Sequence, residues 1–267
     1  MKDFDQAAYW RDRVSGITGL GAVGHRALGV TYNQWIYQRR IDVLNDLCDQ
    51  DLSIVPQTRL LDLGCGTGFY VPFWQSQGVR CLVGVDVSAQ NVSALRQLFP
   101  QCRFFEADLA QSNPACIGEF EIITLFDVLY HLVDDNAAAA ALGFASRHLA
   151  VDGRLLIFDQ LLGRSYSLRK HVKFRGREEF KDMLGAHGLQ IEREVPLFFL
   201  LEPPIFGNRL IDCLVASSYF VAGLCFRAIP SLGALAGKWA YRADTALDKR
   251  GAKIPNHKLY IARRAGL

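Results

Sequence analysis

Residues able to do chemistry gather first in a short stretch, LLDLGCGTGFY, from Leu60 to Tyr70, where an apolar run stops at Gly64, Gly66 and Gly68. Alternating glycines after a strand-like run bare backbone N–H groups and tolerate positive φ, so a ligand can lie against the main chain and the start of the next helix. That suits a nucleotide-like molecule. Glycine-rich turns also occur simply to admit a closely packed helix, and the loop alone does not separate the two readings. It runs G-C-G-T-G-F, with Phe69 where a dinucleotide fingerprint has its third glycine, which weakens the case for NAD. Two acids follow. Asp86, in VGVDVS, lies 18 residues after Gly68, where a carboxylate can accept from both ribose hydroxyls. Asp108, in FFEADL, is placed at the end of the next strand-like run to accept from an exocyclic adenine amine. Either acid alone reads as a solvated strand end or a helix cap. With the loop, they make an ordered adenosine site.

The elements that must hold these residues alternate. Strands are predicted at Arg59 to Leu63, Cys81 to Val87, Cys102 to Leu109, Glu121 to Asp127 and Arg154 to Gln160. Between them run helical segments: Ser88 can cap one that reaches Leu98, and Asp134 or Asp135 can cap another that reaches Leu149. Gly188 is placed to end a helix containing Phe180, Met183 and Leu184. Strand and helix in alternation imply a parallel sheet covered on both faces, an α/β fold. Leu189 to Leu197 and Lys258 to Arg264 add two later strands. Residues 1–55 read as an N-terminal helical arm, with Gly16 to His25 as its flexible joint, and residues 198–257 as an apolar helical insertion.

Composition sets limits. Half of the 267 residues are hydrophobic and 21% are charged, enough for a buried core. The net charge of +3 is dispersed with no block of like charges, so no nucleic-acid partner is expected. Seven cysteines without a C-x-x-C pair form neither a disulfide framework nor a zinc signature. Reduced thiols and an N-terminus without a signal peptide's apolar core predict a cytoplasmic protein.

LLDLGCGTG, GVDVS, EADL, FEIITLFDVLYHL and GRLLIFDQ, in this order between Arg59 and Gln160, resemble the class I S-adenosylmethionine-dependent methyltransferases. The resemblance implies a Rossmann-like, mostly parallel seven-stranded sheet of order 3-2-1-4-5-7-6, with S-adenosylmethionine as cofactor. It places Asp62 and the loop Gly64, Cys65, Gly66, Thr67 and Gly68 around the methionine part. Asp86, followed by Val87, would hold the ribose, Asp108 with Leu109 would meet the adenine, and Phe126 would wall the pocket.

Methyl transfer is an in-line displacement in which positioning does much of the work and a base is optional. For a hydroxyl, phenol or carboxylic acid acceptor, His131 in DVLYHL is the first candidate to take the proton, because imidazole titrates near neutrality. Packing beside Tyr130 is the competing reading. Asp159 and His171 are further candidates, each equally a structural residue. The remaining histidines have no metal-ligand spacing, so no metal is expected. Tyr9, Trp10, Trp35 and Tyr130 are substrate-side candidates, or an aromatic stripe of ordinary packing. The insertion carries the uncharged run Cys213 to Phe226, 14 residues against the ~20 that span a bilayer. Three readings stay open for it: a lid admitting a small lipophilic or aromatic acceptor, an interfacial membrane contact, or a structural or dimer surface. The leading expectation is an enzyme methylating such a small molecule, with O-methylation preferred. The alternatives are a cofactor-binding module without catalysis and a nicotinamide-dependent oxidoreductase.

Overall fold

The structure is a computed structural model and describes residues 9–10, 25–111, 118–251 and 257–266. The chain forms two compact units, one of Met1–Gly16, Ser53–Glu194 and Leu259–Leu267, the other of Ile17–Leu52 and Val195–Lys258.

The first unit holds most of a seven-stranded sheet, whose strands are β1 (Arg59–Leu63), β2 (Cys81–Asp86), β3 (Arg103–Glu106), β4 (Phe120–Phe126), β5 (Leu149–Asp159), β8 (Leu189–Phe198) and β9 (His257–Arg264). Their order is β3-β2-β1-β4-β5-β9-β8, which is 3-2-1-4-5-7-6 when these seven are counted in chain order, as expected. β1 runs parallel to β2 and β4, β2 to β3, and β4 to β5. Leu60 to Leu63 are all buried, the unbroken pattern of a strand covered on both faces. Helices α2 (Val71–Ser76), α3 (Ala89–Leu98), α4 (Asp135–His148) and α5 (Arg177–Gly185) alternate with the strands. Ser88 caps α3 by accepting from Asn91 N at 3.3 Å, and Asp134 caps α4 by accepting from Asn136 N. Ala138, Ala141 and Ala145 of α4 are all buried in the core beneath it.

Beyond shifts of a residue at strand ends, three boundaries and one element differ from expectation. β3 stops at Glu106, whose pairing with Asp86 is closed by Ala107 N donating to the Asp86 carbonyl at 3.0 Å, so Asp108 lies past the strand. β5 begins at Leu149, pairing with Phe120 before a register shift that resumes at Ile122 and Arg154. α5 ends at Gly185; Gly188, at φ 67°, sits in the turn into β8, where its carbonyl accepts from Ala265 N at 2.8 Å. A separate hairpin, β6 (Tyr166–Arg169) and β7 (Val172–Phe174), was not foreseen; its turn carries His171.

The second unit is built on helix α1 (Val30–Gln50), with α6 (Arg209–Ala228) and α7 (Pro230–Lys249) from the insertion. Pro230 opens α7 at its first turn, where a missing N–H costs nothing. Gly237 lets α7 approach α1 closely: a Cβ there would lie 2.5 Å from Trp35 Cδ1. At Gly223 of α6 a Cβ would lie 1.9 Å from the Ala27 carbonyl oxygen. Asp244, fully buried, accepts from the backbone N–H groups of Phe199, Leu200 and Leu201 at 3.1, 2.7 and 3.2 Å. Arg39 pairs with Asp248, and Glu202 with both Arg40 and His257. The segment expected as an arm is therefore divided: Ile17–Leu52 shares a unit with the insertion, and Met1–Gly16 belongs to the first unit. Of its proposed joint, only His25 lies within the described residues.

Candidate functional site

β1 delivers the glycine loop by ending against β2: Gly64 N and Cys65 N both donate to the Val85 carbonyl, at 2.7 and 3.0 Å. Gly64, Gly66 and Gly68 take φ of 76°, 54° and 74°, a region that side-chain-bearing residues avoid. Their roles differ. A Cβ at Gly64 would sit 2.4 Å from Val128 Cγ2, and one at Gly68 2.4 Å from Leu95 Cδ2. At these two positions the absent side chain also makes room for the protein's own packing, beside the positive φ that keeps the loop backbone open. Gly66 instead turns its N–H to Asp86 Oδ2 at 2.8 Å. Ser88 N donates to the other oxygen, Oδ1, at 2.9 Å, so Asp86 at the end of β2 ties the loop to the start of α3.

Two carboxylates lie at this loop. Asp62 is 2% exposed; its Oδ1 accepts from Thr124 Oγ1 at 2.7 Å, while its Oδ2 is buried with no hydrogen-bond partner among the described residues. Burial pushes its carboxyl up to about 6, the Thr124 bond opposing and the charge of Asp86 adding. Burial also raises Asp86, against hydrogen bonds from Ser88, Gly66 and Asn91 that favour its charged form. The Cys65 thiol is held well above its ordinary value by burial, then by Asp86 and Asp62. It is a packing residue, not a nucleophile. An orphaned carboxylate oxygen beside a second carboxylate calls for a cationic group, which is what an amino-acid ammonium offers. The residues thus fit S-adenosylmethionine: Asp62 could hold a cationic tail, and Asp86 has lone pairs left to accept further bonds.

Elsewhere around the strand ends, Val87 is half-buried between Asp86 and the Ser88 cap, and Thr67 is half-buried within the loop. Asp108 Oδ1 accepts from Ala110 N at 2.9 Å, which makes a tight turn beyond β3, with Leu109 buried behind it. Phe126, at the end of β4, packs on the tilted Phe158 ring at 4.2 Å and meets Tyr70 edge-on at 4.8 Å, an apolar wall beside the loop. Asp159 is 3% exposed at the end of β5, with Oδ1 accepting from Gln160 N at 2.6 Å.

The acceptor-side candidates of the first unit come together. His131 lies in a 3-10 turn, Leu129–His131, with Trp10 4.5 Å away edge-on, Tyr130 at 4.4 Å and the His171 ring at 6.3 Å. Tyr9 stacks on His171 at 4.8 Å. His131 Nδ1 is 3.1 Å from the His171 carbonyl oxygen. That contact fixes Nδ1 as the protonated nitrogen and leaves Nε2 with a lone pair. Trp35 belongs to the second unit, where it packs on Tyr241 at 5.4 Å.

Three residues escaped the sequence reading. Thr124 stands opposite Asp62 in register, and a fully buried polar residue inside an apolar strand was its signal. Arg175, 2% exposed, donates to the carbonyls of Leu129 and Leu132 at 2.8 and 2.6 Å and to Asp135 Oδ1 at 3.1 Å, so it clamps the turn that carries His131. Nothing local in the sequence marked it. Asp127, directly after β4, holds φ 61°, a strained conformation for a side-chain-bearing residue at the edge of this site.

Comparison with known proteins agrees with this geometry. Residues 60–153 match the model of a methyltransferase domain. A tRNA U34 carboxymethyltransferase of Alcanivorax borkumensis is 31% identical over 84 residues, which is 30% of this chain and 26% of that protein. The chain thus spans about a quarter of the curated relative it matches. Among solved structures, the O-methyltransferase of a trans-AT polyketide multienzyme from Brevibacillus brevis, bound to S-adenosylhomocysteine, has a TM-score of 0.54 at 15% identity, covering 95% of this chain and 82% of that one. The [4+2]-cyclase SpnF has a TM-score of 0.55 at 18% identity, covering 84% and 81%. Residues 60–153 are thus similar to a methyltransferase domain, and the fold is shared with solved methyltransferases, one of them bound to S-adenosylhomocysteine.

Proposed function

We propose that the protein transfers a methyl group from S-adenosylmethionine to a small aromatic or lipophilic acceptor, with oxygen as the preferred target. The reading is carried by the ring cluster of Tyr9, Trp10, Tyr130 and His171 around His131, which offers flat apolar faces beside a group able to take a proton. When bound, the cofactor supplies an electrophilic methyl on a sulfonium. The chain's own residues do the rest. Asp86 and the Gly66 N–H hold the loop in shape, and Asp62 balances a cationic tail. His131, oriented through Nδ1 by the His171 carbonyl, would accept at Nε2 the proton of the acceptor hydroxyl.

The curated relative is named for a tRNA, but this chain's dispersed charge of +3 favours a small molecule over RNA. The test is incubation with methyl-labelled S-adenosylmethionine and metabolite extracts. Label in a small organic-soluble product supports the reading. Cofactor binding without label in any fraction supports a module that binds and does not transfer, and label in RNA overturns the acceptor class.

A further inference from the structure

The helices α6 and α7 present an apolar face that nothing in the second unit covers. Along α6 the face runs through Leu210, Leu214, Val221 and Leu224, and along α7 through Leu232, Leu235 and Trp239, with Ile229 between the helices. Leu214 is 64% exposed, and Leu235 and Trp239 are each 66% exposed. The opposite faces are committed: Asp212 is buried, Gly223 lies against the Ala27 carbonyl, Phe226 stacks on Tyr32 at 5.3 Å, and Gly237 meets Trp35. α6 has 20 residues, since Leu210 and Ile211 precede Asp212, and is by length and composition a candidate span. The 14-residue run read from the sequence understated it. Its committed face argues for lying along a surface and against crossing one.

Charge says which surface. From Cys213 to Ala243 there is no acidic residue, and the flanking Asp212 and Asp244 are both buried. Arg209, Arg227, Lys238 and Arg242 are exposed, and among the described residues none has an ion-pair partner. A wide apolar stripe carrying a tryptophan and edged, on its own two helices, only by cations is the complement of an anionic bilayer surface, where acyl chains take the apolar side chains and headgroups take the charges. A second copy of this chain would bring cations against cations.

We propose that the α6–α7 hairpin docks the protein on anionic phospholipid membranes, lying in the interface plane. The proposal does not depend on the methyl-transfer reading. Its test is flotation of the full chain with phosphatidylcholine vesicles, with and without phosphatidylglycerol, comparing wild type with Leu235→Glu and with the pair Lys238→Glu and Arg242→Glu. Expected is flotation that requires phosphatidylglycerol and weakens with salt, abolished by Leu235→Glu and reduced about tenfold or more by the charge pair. S-adenosylhomocysteine binding by the variants reports that they are folded. Should Leu235→Glu fail to fold, the charge pair decides alone. Wild type that stays with the aqueous phase on both vesicles overturns the proposal. So does a lipid-free dimer that Leu235→Glu dissociates, since the face then belongs to a second copy.

Discussion

Thr124 Oγ1 donates to Asp62 Oδ1 at 2.7 Å across a register pair of β1 and β4, leaving Oδ2 of a carboxylate raised to about 6 buried without a partner among the described residues. Between the ordinary value of 3.8 and about 6 the folded protein holds a proton that the unfolded chain has released. Stability of the cofactor-free protein therefore falls as pH rises through that window, by about 3 kcal/mol in total. A cationic ligand tail reverses the preference by favouring the carboxylate. S-adenosylhomocysteine affinity should rise as pH climbs through about 6, with proton release below it. Thr124→Val removes a bond that lowers the Asp62 value and should shift the transition upward. Calorimetric titration in buffers of different ionisation enthalpy measures both effects; binding with no proton coupling between about pH 5 and 7 contradicts the Asp62 role.

Gly64→Ala should destabilise the fold by about 2 to 4 kcal/mol, through left-handed strain and overlap with Val128 Cγ2. Adding Val128→Ala removes the overlap and should recover part of the loss, leaving the backbone cost of about 1 to 2 kcal/mol. Urea denaturation of the two variants checks this. Equal stability of Gly64→Ala and wild type would place a different packing around the loop.

How far the sequence could be read follows from the range of the interactions. The parallel core was legible because a strand covered on both faces is a continuous apolar run, and Asp86 stood out only together with the glycine loop, since an acid at a strand end is by itself as readily a solvated end or a cap. Gly64 and Gly68 were recognised as special, but their packing neighbours were not: Val128 and Leu95 are distant in sequence, and only the fold brings them close. The β6–β7 hairpin was hidden because its strands are only four and three residues long. Its partner interactions, chiefly Arg175 with the Leu129 and Leu132 carbonyls, are side chain to backbone and leave no pattern to read.

His131→Ala should lower turnover about 10²- to 10⁴-fold while sparing S-adenosylhomocysteine affinity, the range expected for loss of a general base. Rapid-mix turnover once an acceptor is known, with affinity measured separately, distinguishes the two effects. Wild-type turnover in the variant makes His131 a packing residue of the ring cluster.

Arg175→Lys keeps the charge but replaces a planar fork, which reaches two carbonyls and Asp135 at once, with a single ammonium. The expected outcome is a higher KM for the acceptor and a lower kcat with cofactor affinity retained, because the clamp holds the turn of Tyr130 and His131. Loss of cofactor affinity instead would assign Arg175 to the stability of the whole unit.

The central claim is that the β1 loop and Asp86 form an adenosyl site, and titration of S-adenosylhomocysteine into wild type and Asp86→Ala tests it most directly. Micromolar binding to wild type is predicted, weakened about tenfold to a hundredfold in the variant, as expected for the loss of charge-assisted hydrogen bonds. No binding to wild type, or equal binding to a folded Asp86→Ala, contradicts it.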